Sequence, residues 1–173
     1  YRCESLVVAT GGLSIPTLGG SGFGYQLAEQ FNLKLLPRSA GLVPFAFSGE
    51  LGEAFASLSG TAVDVLMSCQ GANFRGNMLF THRGISGPCA LQLSSYWRPG
   101  QPIGINLLPD IDIYPWLLRM KIESPKTVLR TIFQQHLPKS LAQLLELRFW
   151  PAKRDQPLAE IANVDLAKVA QQC

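Results

Sequence analysis

The chain is poor in the residues from which most recognisable sites are built. It has two histidines, His82 and His136, and four cysteines, Cys3, Cys69, Cys89 and Cys173, with no C-x-x-C pair. These spacings fit neither a zinc site nor a small disulfide scaffold, so no metal is expected and the thiols read as reduced, as in a cytoplasmic protein. No apolar run approaches the roughly 20 residues of a membrane helix, so no membrane partner is expected. Charged residues make up only 16% of the chain, which leaves much surface to be covered by something else. Through Asp110 there are six basic and six acidic residues, and after it nine and six, so the whole +3 excess lies in the last part. No dense Lys/Arg cluster accompanies it, and no nucleic-acid partner is expected. There is no G-x-S-x-G, no Walker A motif and no pair of carboxylates placed for acid/base work. The glycine run Gly19-Gly20-Ser21-Gly22-Phe23-Gly24 fails the G-x-G-x-x-G pattern, because the third position falls on Tyr25 or Leu27. It reads as a flexible loop entering a helix. The opening Tyr1-Arg2-Cys3-Glu4 lacks Met and reaches a buried-type strand at once, which suggests a sequence cut from something longer.

What is present centres on Leu79-Phe80-Thr81-His82-Arg83-Gly84-Ile85-Ser86-Gly87-Pro88. An apolar run ends at Phe80. Two glycines then free the backbone for positive φ or a close approach, and Pro88 suits the first position of a helix through Leu93. The pattern predicts strand, tight loop, helix start, with backbone amides, two hydroxyls and one imidazole converging. Two readings are open: a loop that faces a ligand, or a turn that Thr81 and Ser86 cap and His82 braces.

Around this stretch the sequence predicts an α+β chain. Ser5–Ala9 is a β-branched run of the kind buried on both faces of a parallel sheet. A helix over Tyr25–Phe31 with Asn32 at its end, and a short strand over Leu33–Leu36, follow. Leu42–Phe47 carries Pro44 and reads as an edge strand. Thr61–Cys69 alternates, with Val63, Val65, Met67 and Cys69 on one face. Gln70–Asn73 is a turn, Phe74–Phe80 the return strand, and Pro102–Leu108 another. Beyond Pro109 helices are expected over Asp112–Lys121, from a Ser124-Pro125 start through His136, and over Lys139–Phe149. His136 is assigned to the core or a helix end. Pro151–Pro157 reads as a linker, and Leu158–Gln172 as one or two short helices with Asp165 as an internal cap.

Taken in order, Val7-Val8-Ala9-Thr10-Gly11-Gly12 with Ser14 and Pro16, Gly22-x-Gly24-Tyr25, Leu42-Val43-Pro44-Phe45, Phe80-Thr81-His82-x-Gly84-x-Ser86-Gly87-Pro88 and Leu107-Leu108-Pro109 resemble the bacterial NAD(P)/FAD-dependent oxidoreductase flavoproteins that include aminoacetone oxidase. Phe23, Arg83 and Cys89 depart from the usual family residues. The resemblance implies an internal fragment of a larger FAD-dependent enzyme: a partial FAD-binding α/β segment (about 1–41), a β-barrel-like insert domain (42–109) and a small helical subdomain (110–173). It further implies that Ala9, Thr10, Gly11 and Gly12 lie along FAD and that the Thr81–Pro88 loop faces flavin or substrate. His82 would then hydrogen-bond or move a proton, Thr81 and Ser86 would orient the substrate, and Gly84 and Gly87 would allow close approach. The implied substrate is a small molecule, with NAD(P)H as a possible second substrate. The missing N- and C-terminal segments of the FAD domain count as partners, and the fragment alone is expected to be inactive and to lose FAD. The competing expectation is a non-catalytic binding module without cofactor, whose basic helical tail contacts a partner.

Overall fold

The computed structural model describes residues 2–173 and comprises two units, residues 2–39 and Ala40–Cys173. In the first, a single 3-10 turn at Pro16–Leu18 leads to helix α1, Phe23–Gln30. Asn32 follows with φ 54°, the left-handed conformation that lets an asparagine close a helix. The strands expected over Ser5–Ala9 and Leu33–Leu36 do not form. A strand buried on both faces needs a hydrogen-bonding neighbour at its edge and cover above and below. No described residue of this unit supplies either, and Leu6, Val7 and Val8 stay exposed.

The second unit is a mixed α+β structure built on one antiparallel sheet. Its strands are β1 (Phe45–Ala46), β2 (Ala62–Cys69), β3 (Ala72–Thr81), β4 (Gly84–Ser86) and β5 (Gly104–Asn106), in the order β1-β4-β3-β2-β5. The sheet is open, with β1 and β5 as its edges. The β2–β3 hairpin is its spine, paired from Ala62↔Leu79 to Cys69↔Ala72. Between them Gln70 and Gly71 both have positive φ, the two-residue turn whose twist matches that of the strands. Alternation along β2 buries Val63, Val65, Met67 and Cys69, as the sequence predicts. The Pro44 run yields a strand of two residues at the sheet edge.

Helices cover the sheet. The short α2 (Gly49–Ala56) sets Phe55 edge-on to Phe80 and Phe47. Helix α3 (Pro88–Ser94) starts at Pro88 and buries Cys89, Ala90 and Leu93. Beyond β5 come α4 (Ile113–Glu123), α5 (Leu129–Phe133), α6 (Lys139–Phe149) and α7 (Asn163–Gln171). Trp116, Phe133 and Trp150 pack face and edge at their centre, continuous with the sheet core. None of the described helices is long and apolar enough to cross a membrane.

Three local expectations are corrected. Ser124 is the C-cap of α4, not an N-cap, and α5 begins only at Leu129, because Val128 is extended and bridges Pro157. His136 sits in the turn that closes α5, where its amide donates to the Phe133 carbonyl at 3.1 Å, so the helix-end assignment holds. It is exposed, its ring edge-on to Trp116 at 5.3 Å, and the core assignment is corrected. Asp165 sits in the first turn of α7 rather than capping it. Of the cysteines, Cys3 is exposed while Cys69, Cys89 and Cys173 are buried. Burial pushes the Cys173 thiol up to about 12.

Candidate functional site

The stretch singled out in the sequence has the expected strand, tight turn and helix start at Pro88, with one addition: a short return strand makes the turn a β-hairpin. β3 runs to Thr81, His82 and Arg83 form the turn, and β4 returns over Gly84–Ser86 before α3 starts. Phe80 pairs with Ile85 and Thr81 with Gly84. The Thr81 hydroxyl accepts from the Arg83 amide at 3.3 Å and donates to the Gly84 carbonyl at 3.2 Å. The Phe47 amide donates to the Arg83 carbonyl at 2.9 Å, which ties the turn to the edge strand. The turn backbone is therefore held from both sides, while the side chains of His82 and Arg83 are exposed.

The two glycines have internal reasons for being glycine. Gly84 (φ 148°) lies so close to β1 that a Cβ would run into the Phe45 carbonyl. Gly87 (φ 96°) presses on the Asn77 carbonyl in the same way. Ser86 is half-buried, and its hydroxyl makes no hydrogen bond to any described residue. The hairpin thus brings Thr81, His82, Gly84, Ser86 and Gly87 together. Thr81 is committed to the turn, whereas His82 and Ser86 keep unused hydrogen-bonding capacity.

Ala9, Thr10, Gly11 and Gly12 belong to the other unit. All four are exposed, and a Cβ at Gly11 or Gly12 would meet nothing within 4 Å. Gly24 in the first turn of α1 packs under Thr10, where an added Cβ would stand 2.6 Å from Oγ1. Open backbone amides beside one hydroxyl are a donor set that fits the oxygens of a nucleotide ligand.

Most basic side chains of the second unit are already occupied. Arg75 forms a fork with Asp64 at 2.9 Å and with Asp110 at 2.5 Å, and its hydrogen bond holds the Asp110 carboxyl below the usual range. The hairpin register would have revealed the first contact, since Leu66 faces Arg75 and Asp64 lies diagonal to it on the same face. Arg130 reaches the buried Glu146 at 2.6 Å, with Arg154 at 3.8 Å behind it. Lys153 and Lys168 share Asp165 at 2.8 and 3.6 Å. Arg98 binds backbone carbonyls, and Lys121 binds the Ile161 carbonyl and Asn163. Two open clefts, of about 760 and 690 Å³, lie along β2 and the helices. Neither is lined by any residue of the hairpin turn; the first is lined by Asp112, Tyr114 and Cys173, and the second by Asp64, Asp110 and His136.

The family model described as HI0933-like protein barrel and H2TH domain matches residues 39–173. The chain belongs to this family. Over 168 residues it is 50% identical to a ribosomal RNA dihydrouridine synthase of Escherichia coli (strain K12), covering 96% of this chain and 40% of that protein. It is 45% identical to the ribosomal RNA dihydrouridine synthase of Haemophilus influenzae (strain ATCC 51907 / DSM 11121 / KW20 / Rd), covering 95% and 40%. The chain therefore spans about 40% of the length of the curated relatives it matches.

Membership in the HI0933-like family corrects the resemblance to aminoacetone oxidase and its flavoprotein kin. Two of the motifs that carried it, Val7–Gly12 and Gly22–Tyr25, precede residue 39, where the family match begins, and the strand ending in the first does not form. The relatives are enzymes named for work on ribosomal RNA. That overturns the expected FAD oxidoreductase fragment acting on a small molecule, the non-catalytic module weighed against it, and the absence of a nucleic-acid partner. The charge argument failed because net charge is a sum. Paired acids hide how few exposed cations a protein needs to meet a phosphate backbone at one place.

Proposed function

We propose that this chain is the barrel and H2TH part of a ribosomal RNA dihydrouridine synthase, in which the Thr81–Pro88 hairpin faces the target uridine. The observation that carries this reading is the 50% identity over 168 residues to an enzyme of that name. Forming dihydrouridine reduces the C5–C6 double bond of uracil: a hydride adds to one carbon and a proton to the other. The side chains of the hairpin match the second half of that task. His82 is exposed on a braced turn and supplies the proton, Ser86 has a hydroxyl to spend on a uracil carbonyl, and Thr81 keeps the turn in shape.

A bound FAD, with NAD(P)H as electron source, would supply the hydride. Ala9, Thr10, Gly11 and Gly12 are the residues of this chain proposed to hold it, supported by the open backbone at both glycines. The test is to incubate the full-length protein with unmodified ribosomal RNA and a reduced nicotinamide, then score dihydrouridine by mass spectrometry. Dihydrouridine at a defined site is the expected result. Its absence with a folded protein and every reductant tried overturns the reading.

A further inference from the structure

Arg83 is the second residue of the same turn and has no role in the reaction described above. Among the described residues it makes no ion pair, and its side chain makes no hydrogen bond. Most other basic groups of this unit are held by a carboxylate or a carbonyl. Glu50 and Glu53 lie on α2, which packs against β3 and β4, yet neither pairs with Arg83. Its backbone is fixed through the Thr81 hydroxyl and the Phe47 amide. A long cation on a rigid, exposed turn, with no internal partner, costs little ordering to engage an external anion. It adjoins His82, so that anion lies next to whatever His82 meets.

We infer that Arg83 binds a backbone phosphate of the ribosomal RNA beside the target nucleotide, and so places the uracil against His82. The inference rests on the dihydrouridine synthase reading. Its ligand is an RNA phosphodiester, because the same turn must meet the RNA if His82 is to reach the base. A phosphate of a dinucleotide would offer the same chemistry and is separated by the test below.

The full-length protein and its Arg83→Gln, Arg83→Lys and Arg119→Gln variants are titrated with an unmodified rRNA fragment over a range of salt, and turnover is followed against RNA and against NAD(P)H. Arg119, an exposed helix arginine facing Glu123 at 4.0 Å, controls for loss of one charge. Arg83→Gln is expected to weaken RNA binding about tenfold and to lower the salt slope by about 0.7–0.9, the value of one phosphate contact. kcat at saturating RNA falls as the uracil loses its placement against His82, the KM for NAD(P)H stays unchanged, and Arg83→Lys restores most of the slope. An unchanged RNA slope in Arg83→Gln overturns the inference, as does a drop no larger than that of Arg119→Gln. A raised KM for NAD(P)H with intact RNA binding also overturns it, assigning the arginine to the dinucleotide. If the wild type makes no dihydrouridine and binds no RNA, the functional reading itself has failed, an outcome distinct from a failure confined to Arg83.

Discussion

Residues 2–39 and 40–173 use the same apolar residue types with opposite results. In the first region Val7 is 85% exposed and Leu18 81%. In the second, Val65, Met67 and Ile85 are wholly buried. Ser5–Ala9 is as β-branched as β2, yet only β2 finds a strand on each side, β3 and β5. Sequence pattern says that a segment is able to be buried. Whether it is buried depends on a neighbour that offers backbone partners and a matching apolar face.

That contrast can be broken most forcefully at the core. Phe133 is fully buried, between the rings of Trp116 and Trp150. Phe133→Ala is expected to cost this chain roughly 3–5 kcal/mol, against less than about 0.5 kcal/mol for Val7→Ala. Urea unfolding of both variants checks it, and a similar loss at the two sites would erase the distinction. The glycines sharpen it at the next level. Gly87 and Gly11 both have positive φ, but only Gly87 lacks room for a Cβ. Gly87→Ala is expected to lose roughly 3 kcal/mol through backbone strain plus collision, and Gly11→Ala about 1 kcal/mol from strain alone. Equal thermal shifts would show that the turn backbone relaxes freely.

The smallest effect is electrostatic. Among the described residues all ion pairs lie in the second region. The hydrogen bond from Lys153 holds the Asp165 carboxyl below its ordinary range. Because the folded value is depressed, the stabilisation is present above the unfolded carboxylate value and drains away as pH falls through the folded one. Stability followed by tryptophan emission should therefore decline on the acid side, and Asp165→Asn should flatten part of that decline. A parallel acid limb in the variant would remove Asp165 from the account.

Legibility in the sequence follows the same physical line. The β2–β3 hairpin was readable because period-two alternation and a Gln-Gly turn are local signals. Helix α6 was readable because Pro138 ends what precedes it. Helix α2 was not, since it contains Gly49 and Gly52 and owes its place to Phe55 packing on Phe80 and Phe47. Ser124-Pro125 misled because a serine and proline that open one helix serve equally well after the close of another. At the candidate site the residue types were visible, but β4 and the reasons for Gly84 and Gly87 were not. Those reasons are the carbonyls of Phe45 and Asn77, distant in the sequence or across the sheet. Composition could not decide on a nucleic-acid partner, because it records every charge and not which ones are already paired.

The distribution of thiols gives the molecule an optical axis of its own. Cys3 is the exposed cysteine of the first unit, while Cys69, Cys89 and Cys173 are shielded in the second. All three tryptophans, Trp97, Trp116 and Trp150, also belong to the second. A maleimide dye attached under native conditions would therefore report the first unit, while tryptophan emission reports the second. The two signals follow the unfolding of each unit separately, on the unaltered sequence.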